Sequence, residues 1–339
     1  MNLKNFNLSS NKKFLISSFF IGVIIIFLVI RLTNVDFEEF ARQITKSDFK
    51  LLGLAIIIYY LGFLPRGFRF LLMTDLHSKN KNLSRSFLKS TIFLLIGWFV
   101  NSVTLLRAGD LYRIWLFAKE FKLKFVDLFG FLLAERFQDL IIINLILFSV
   151  FILAFSEPQF PFWVALTCFG ISLILMITLI IGVTTSRLIK YLPLEKKLDS
   201  SSFRNSFYKP LKSKNLIFQL MSGLLAWSTE VLRLSLVLMA LNIELSFSLV
   251  ILITILGTIL TIVPVPGGLG IVEGGLIGVF ILLGFDSTTA LTITIVDRSI
   301  TWLSILFTGS IAFIFWNSIQ KTTINSFFPY LKSDKEFEN

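Results

Sequence analysis

The stretch PVPGGLGIVE, residues 264–273, interrupts a run that is hydrocarbon from Leu245 onward and resumes at Leu276. Pro264 and Pro266 have no backbone N–H and bias the residue before each away from helix. Gly267, Gly268 and Gly270 allow positive φ and let another backbone or a ligand come close. A helix restarts near Ile271, with Glu273 in its first turn. That turn presents unpaired N–H groups and the positive end of a dipole, a setting suited to an anion. Facing lipid, the break would leave backbone groups unsatisfied, so protein or water must cover it.

The surrounding hydrocarbon sets the class. Of 339 residues, 55% are apolar and 16% charged, and the mean hydropathy is +0.81. That balance excludes an ordinary soluble domain and defines an all-α, polytopic helical membrane protein. A crossing takes about 20 apolar residues. The candidates are 14–30, 51–64, 87–100, 126–155, 162–183, 216–241, 245–263 and 290–316. The first follows Lys4, Lys12 and Lys13 and ends at Arg31 without a small-residue cleavage site, which makes it an anchor. The net charge of +11 fits basic cytoplasmic loops and attraction to anionic lipid, with no basic stripe of the kind nucleic acid needs. One cysteine, Cys168, and one histidine, His77 in the loop TDLHSKNKN, are all the chain carries. Neither a disulfide, a metal site, another cofactor nor serine–histidine chemistry is expected.

Lysine and arginine are distributed unevenly. Residues 65–89 hold six, 107–124 five and 184–215 eight, whereas the connections 156–161, 242–245 and 285–289 hold none. The positive-inside rule places the basic loops and both termini in the cytoplasm, and the basic 184–215 segment reads as a solvated connector, with docking of a partner as its alternative. Residues 87–124 then begin and end inside, and 245–285 begin and end outside, so each must be a hairpin. Within the single transmembrane domain of 1–339, two halves emerge, 12–155 and 162–317, followed by a cytoplasmic tail at 318–339. Each half has two spans, a broken hairpin and a closing span, and an odd number of crossings gives the halves opposite orientation. Inverted repeats whose broken helices meet near the midplane recur in transporters.

Charge sits where spans should be apolar. At the first hairpin tip, NSVTLLRAGDLYRIW (101–115) places Arg107, Gly109, Asp110 and Arg113. The closing spans carry LLAERFQDLIII (132–143), with Glu135, Arg136 and Asp139, and ITIVDRSITWLS (293–304), with Asp297, Arg298 and Trp302. Arg66 and Arg69 end one helix; Glu230 and Arg233 lie in another. Such groups cost about 2.5–3.5 kcal/mol each in mid-span, so they face the interior and pair. Two readings stay open together: a cross-half ion-pair lock, or a headgroup site of Arg107, Arg113, Arg136 and Arg298 steadied by carboxylates. Arginine suits phosphate because its planar fork is always charged.

These motifs resemble the flippase-like transmembrane domain of lysylphosphatidylglycerol synthase, the multiple peptide resistance factor. The resemblance is carried by Asn101 with RAGDLYR (107–113), Glu135-Arg136 with Asp139, PVPGGLGIVE and DRSITW (297–302), and it covers nearly the whole chain. The sequence departs from the pattern at Leu105, where a proline is expected. The expectation is a transmembrane region without the soluble aminoacyl-transferase domain, so lipid aminoacylation is not carried over. The resemblance implies a bacterial plasma-membrane protein that binds and translocates an anionic phospholipid or glycolipid. Alternatives are a membrane partner of a lipid-modifying enzyme or glycosyltransferase, and an intramembrane transferase using Glu135, Asp139, Glu273 or Asp297 as base. No nucleotide-binding loop occurs, so movement is expected to be passive or ion-coupled.

Overall fold

The computed structural model describes residues 36–74, 76, 82–104, 107–154, 160–185, 200–263 and 265–320. The span expected at 14–30, along with His77, Leu105, Pro264 and nearly all of the 318–339 tail, lies outside these. The described chain is helical throughout: α1 Phe37–Thr45, α2 Phe49–Leu61, α3 Phe63–Met73, α4 Leu83–Val103, α5 Ala108–Phe121, α6 Phe125–Leu153, α7 Phe162–Thr184, α8 Ser200–Leu211, α9 Leu216–Ala240, α10 Phe247–Leu260, α11 Ile271–Leu282, α12 Ser287–Arg298 and α13 Ser304–Gln320. A 3-10 turn, Pro266–Gly268, precedes α11, and a π-helical turn, Ser299–Leu303, joins α12 to α13. Among the described residues, six helical runs are long and apolar enough to cross a membrane: Phe49–Met73, Leu83–Val103, Phe125–Leu153, Phe162–Thr184, Leu216–Ala240 and Ser287–Ser318.

Segment α10 has 14 residues, about 21 Å at 1.5 Å per residue, against a hydrocarbon core of about 30 Å. It cannot cross alone, and it turns back through 265–270 into α11, which packs on it. In the same way α4 and α5 pack together as a hairpin.

Helix α9 is the central element, contacting α2, α3, α6, α10 and α12. Its buried positions Gln219, Gly223, Ala226, Glu230, Arg233, Val237 and Ala240 alternate in steps of four and three along one face. Lipid is as apolar as leucine, so burial alone gives helices little reason to associate; close backbone approach and polar pairing do. Gly223 shows why the face is small: a Cβ there would strike Arg69 and the Ile142 side chain. The opposite flank, with Met221, Leu225, Leu232 and Met239, is exposed, as a lipid-facing side should be.

Two expectations change. The span read as 51–64 continues through α3, so Arg66 and Arg69 lie inside a helical run ending at Met73 instead of at its end. Pro65 permits this because the helix breaks at Gly62 and Pro65 falls in the first turn of α3, where a missing N–H costs little. The basic 184–215 segment is not simply a solvated connector either. Its residues 200–211 form α8, which lies on α6 with Phe203, Ser206 and Phe207 buried. Gly130 of α6 makes room, since a Cβ there would press on the Phe203 carbonyl and the Ser206 Cβ, each 2.8 Å away.

Candidate functional site

The two hairpin tips meet. The end of α4 packs on the Pro266–Gly268 turn, and a Cβ on Gly267 would come within 3.4 Å of the Ser102 carbonyl and collide with the Trp302 indole. Gly267, Gly268 and Gly270 take φ of 58°, 72° and 80°, the left-handed region that the sequence anticipated for them. At the other tip Arg107, without a glycine's freedom, adopts φ 54° and starts α5, a strained choice that the sequence does not announce.

Three charge clusters surround these tips. In the first, Arg69 donates to Asp139 at 2.7 Å and to Glu135 at 3.3 Å, and Arg113 donates to Glu135 at 2.5 Å. Arg136 reaches Asp110 at 3.3 Å and Asp139 at 3.4 Å, and Arg107 reaches Asp110 at 3.4 Å. Asn101 ties the hairpin shut: its amide donates to Asp110 at 3.2 Å and its carbonyl accepts the Gly109 N–H at 2.8 Å. Gly109 is required here, because a Cβ would run into the Gly97 carbonyl across the helix pair. In the second cluster Glu230 accepts from Arg66 at 2.8 Å and Arg233 at 3.3 Å, and Arg233 also pairs with Asp297. Arg66 lies over the Trp98 ring at 5.2 Å, a cation–π contact. In the third, Arg298 bridges Glu273 at 2.7 Å and the Gly267 carbonyl at 2.6 Å.

The start of α11 is therefore already occupied by an anion from its own chain. Glu273 accepts the Gly270 N–H at 2.6 Å, a side chain closing its own helix terminus.

A cavity of about 600 Å³ opens between the clusters. Nine charged side chains line it, Arg66, Arg107, Asp110, Arg136, Asp139, Glu230, Arg233, Asp297 and Arg298, with Gly267, Gly268 and Trp302. Apolar side chains share the lining: Leu132, Leu133, Leu140 and Ile143 of α6, on which Arg136 and Asp139 also lie, Leu175 and Leu179 of α7, Ile253 of α10, and Leu276 and Phe280 of α11. Arg69, Gly109, Arg113, Glu135, Pro266, Gly270 and Glu273 do not line it. Arg69, Arg113 and Glu135 are nearly inaccessible and stand behind the charged lining. Sequence reasoning passed over Tyr59, Trp98, Ser102 and a threonine series, Thr254, Thr258 and Thr261, all of which line the cavity. The threonines were detectable: their spacing puts them on one face of an apolar helix, where each hydroxyl bonds back to the backbone. Among the described residues no group of histidine, cysteine and carboxylates is placed to hold a metal.

Fold and site together define an integral membrane protein whose paired helical hairpins enclose an arginine- and carboxylate-lined cavity. The family model described as the lysylphosphatidylglycerol synthase TM region matches residues 14–309, and the chain belongs to that family. It is 39% identical over 105 residues to a UPF0104 membrane protein of Methanothermobacter thermautotrophicus, a match spanning 31% of each chain. Similarity to a UPF0104 membrane protein of Pyrococcus horikoshii is 22% identity over 332 residues, covering 88% of this chain and 96% of the other. A UPF0104 membrane protein of Methanocaldococcus jannaschii is 27% identical over 220 residues, 63% of this chain and 93% of its own. These relatives are archaeal, whereas the sequence reading had expected a bacterial membrane.

Proposed function

We propose that the protein binds a lipid amphiphile with its headgroup on the charged side chains of the cavity and its tails against the apolar ones, and carries it between leaflets. The observation that carries this reading is the mixed lining of the cavity. A site for a soluble ion has no use for so many leucine, isoleucine and phenylalanine side chains, and a plain packing defect has no use for nine charged ones. Moving a headgroup through hydrocarbon means stripping its hydration, and fixed guanidiniums and carboxylates replace that water. In this reading residues 12–155 and 162–317 are inverted halves with both termini cytoplasmic, and rocking of one against the other opens the cavity to each face in turn.

The test is reconstitution into liposomes containing a fluorescent phospholipid, with a membrane-impermeant quencher outside. The double variant Arg136→Ala with Arg298→Ala is expected to lower exchange to the protein-free rate. Exchange as fast as the parent's would sink the proposal.

A further inference from the structure

Resting on the transport reading, we infer that α1 is a strap that holds one end of the bundle shut and must lift before the cavity opens there. The cavity is lined by α9 from Ala226 to Leu234, by α10 from Ile253 to Ile262 and by α12 from Ile293 to Arg298. Beyond those positions the same three helices close on one another. Leu238, Val250, Leu252, Ala290 and Leu291 are each at most 4% exposed, belong to one packed cluster and line no part of the cavity. No lipid passes this plug unless α9, α10 and α12 part.

Helix α1 lies on α12 at this end. Phe40 packs on the plug cluster, and Ile44 packs on the neighbouring cluster that includes Ala55 and Tyr59 of α2. The Asp36 N–H donates to the Thr288 hydroxyl at 3.0 Å, and the Gln43 amide donates to the Thr289 hydroxyl at 2.9 Å. In the turn after α1, the Asp48 N–H donates to the Ala240 carbonyl at 2.9 Å, so the same short segment is fastened to the ends of both α12 and α9. None of the α1 side chains is buried. An element held by a few hydrogen bonds and half-covered apolar groups belongs to the low-stability part of a fold, from which moving parts are drawn. What it holds reaches the hairpin tip. Thr289 and Arg298 lie on one unbroken helix, about 14 Å apart along its axis, and Arg298 joins Glu273 to the Gly267 carbonyl. Movement of α12 at the strap therefore displaces the contact that fixes the Pro266–Gly268 turn.

Two readouts test the strap, and the first needs no transport. In a Cys168→Ala background, which removes the chain's one thiol, Leu291→Cys places a reporter in the plug. Its labelling by a small maleimide, with the full chain in detergent micelles, follows the opening of that end. Adding Gln43→Ala with Phe40→Ala is expected to speed labelling about tenfold, and Ala290→Cys replaces the reporter should Leu291→Cys fail to fold. Unchanged labelling would overturn the inference. For the second readout, Gln43→Cys and Thr289→Cys in the same background are bridged by a short bis-methanethiosulfonate, and lipid exchange is followed in liposomes. Exchange is expected to fall to the protein-free rate and to return when a reductant releases the bridge. Exchange that ignores the bridge would also overturn the inference. Faster labelling of the strap variants, beside a parent chain that exchanges no lipid, would leave the strap standing and remove the transport reading.

Discussion

Glu135 is the carboxylate on which the first charge cluster depends, and Glu135→Gln measures that dependence. Its side chain is 3% exposed and accepts from Arg113 at 2.5 Å and from Arg69 at 3.3 Å. Glutamine keeps the volume and an acceptor but removes the charge. Arg69 retains Asp139 at 2.7 Å, whereas Arg113 loses the ion pair it makes and keeps the face of Phe70, 4.8 Å away. Leaving a buried guanidinium unpaired costs about 3–5 kcal/mol. Asp139→Asn should cost less, about 1.5–3 kcal/mol, since Arg69 still has Glu135. Substituting both partners, Glu135→Leu with Arg113→Met, should recover most of the loss, because an apolar pair of similar size needs no counter-charge. The assay is equilibrium unfolding in mixed micelles against increasing dodecyl sulfate, followed by tryptophan fluorescence. If Glu135→Gln cost less than about 1 kcal/mol, or if the double variant were worse than the single, the pairing argument would be wrong.

Other expectations concern packing and backbone. Gly109→Ala should force α4 and α5 apart, costing about 1–3 kcal/mol and reducing lipid exchange, while Gly53→Ala, with open space around it, should be silent in both assays. Arg298→Lys should slow exchange although it keeps the charge, because one ammonium cannot reproduce the fork that joins Glu273 to the Gly267 carbonyl; full activity would show that only charge matters there. Gly130→Val should dislodge α8 from α6 and expose the 200–211 segment to limited proteolysis, with unchanged cleavage counting against the close contact.

Much of this molecule is legible in its residues because membranes narrow the options. Composition alone sets the helical class, and PVPGGLGIVE announces a break whose glycines adopt the positive φ they permit. The expectation that buried charges pair was equally available from the cost of leaving them alone. Partner choice was not. Arg69 and Glu135 are 66 positions apart, and Arg66 and Glu230 are 164 apart, so only the packed bundle decides which carboxylate each arginine meets. The same limit hid the division between Arg136, which lines the cavity, and Arg113, which stands behind it: both are arginines a few positions from an aspartate, and nothing local separates them. Helix α8 was obscured by charge, since the lysines and arginines of 184–215 outweigh the phenylalanines, Phe203 and Phe207, that fasten it.

The π-helical turn at Ser299–Leu303 imposes its own constraint. The Ser304 N–H reaches back to the Ser299 carbonyl, the Ser304 hydroxyl bonds the Ile300 carbonyl that this bypasses, and the hydroxyl of Tyr59 bonds Thr301 O at 2.9 Å. One turn later Tyr60 joins Ser304 and Thr308 at 2.8 and 2.7 Å. Deleting one residue here would restore ordinary winding and leave the phase downstream nearly unchanged, because the wider turn already absorbs the extra residue. Within the regular part of α13 the same deletion would rotate everything beyond it by about 100°. Single-residue deletions should therefore be tolerated better across 299–303 than farther along the rod.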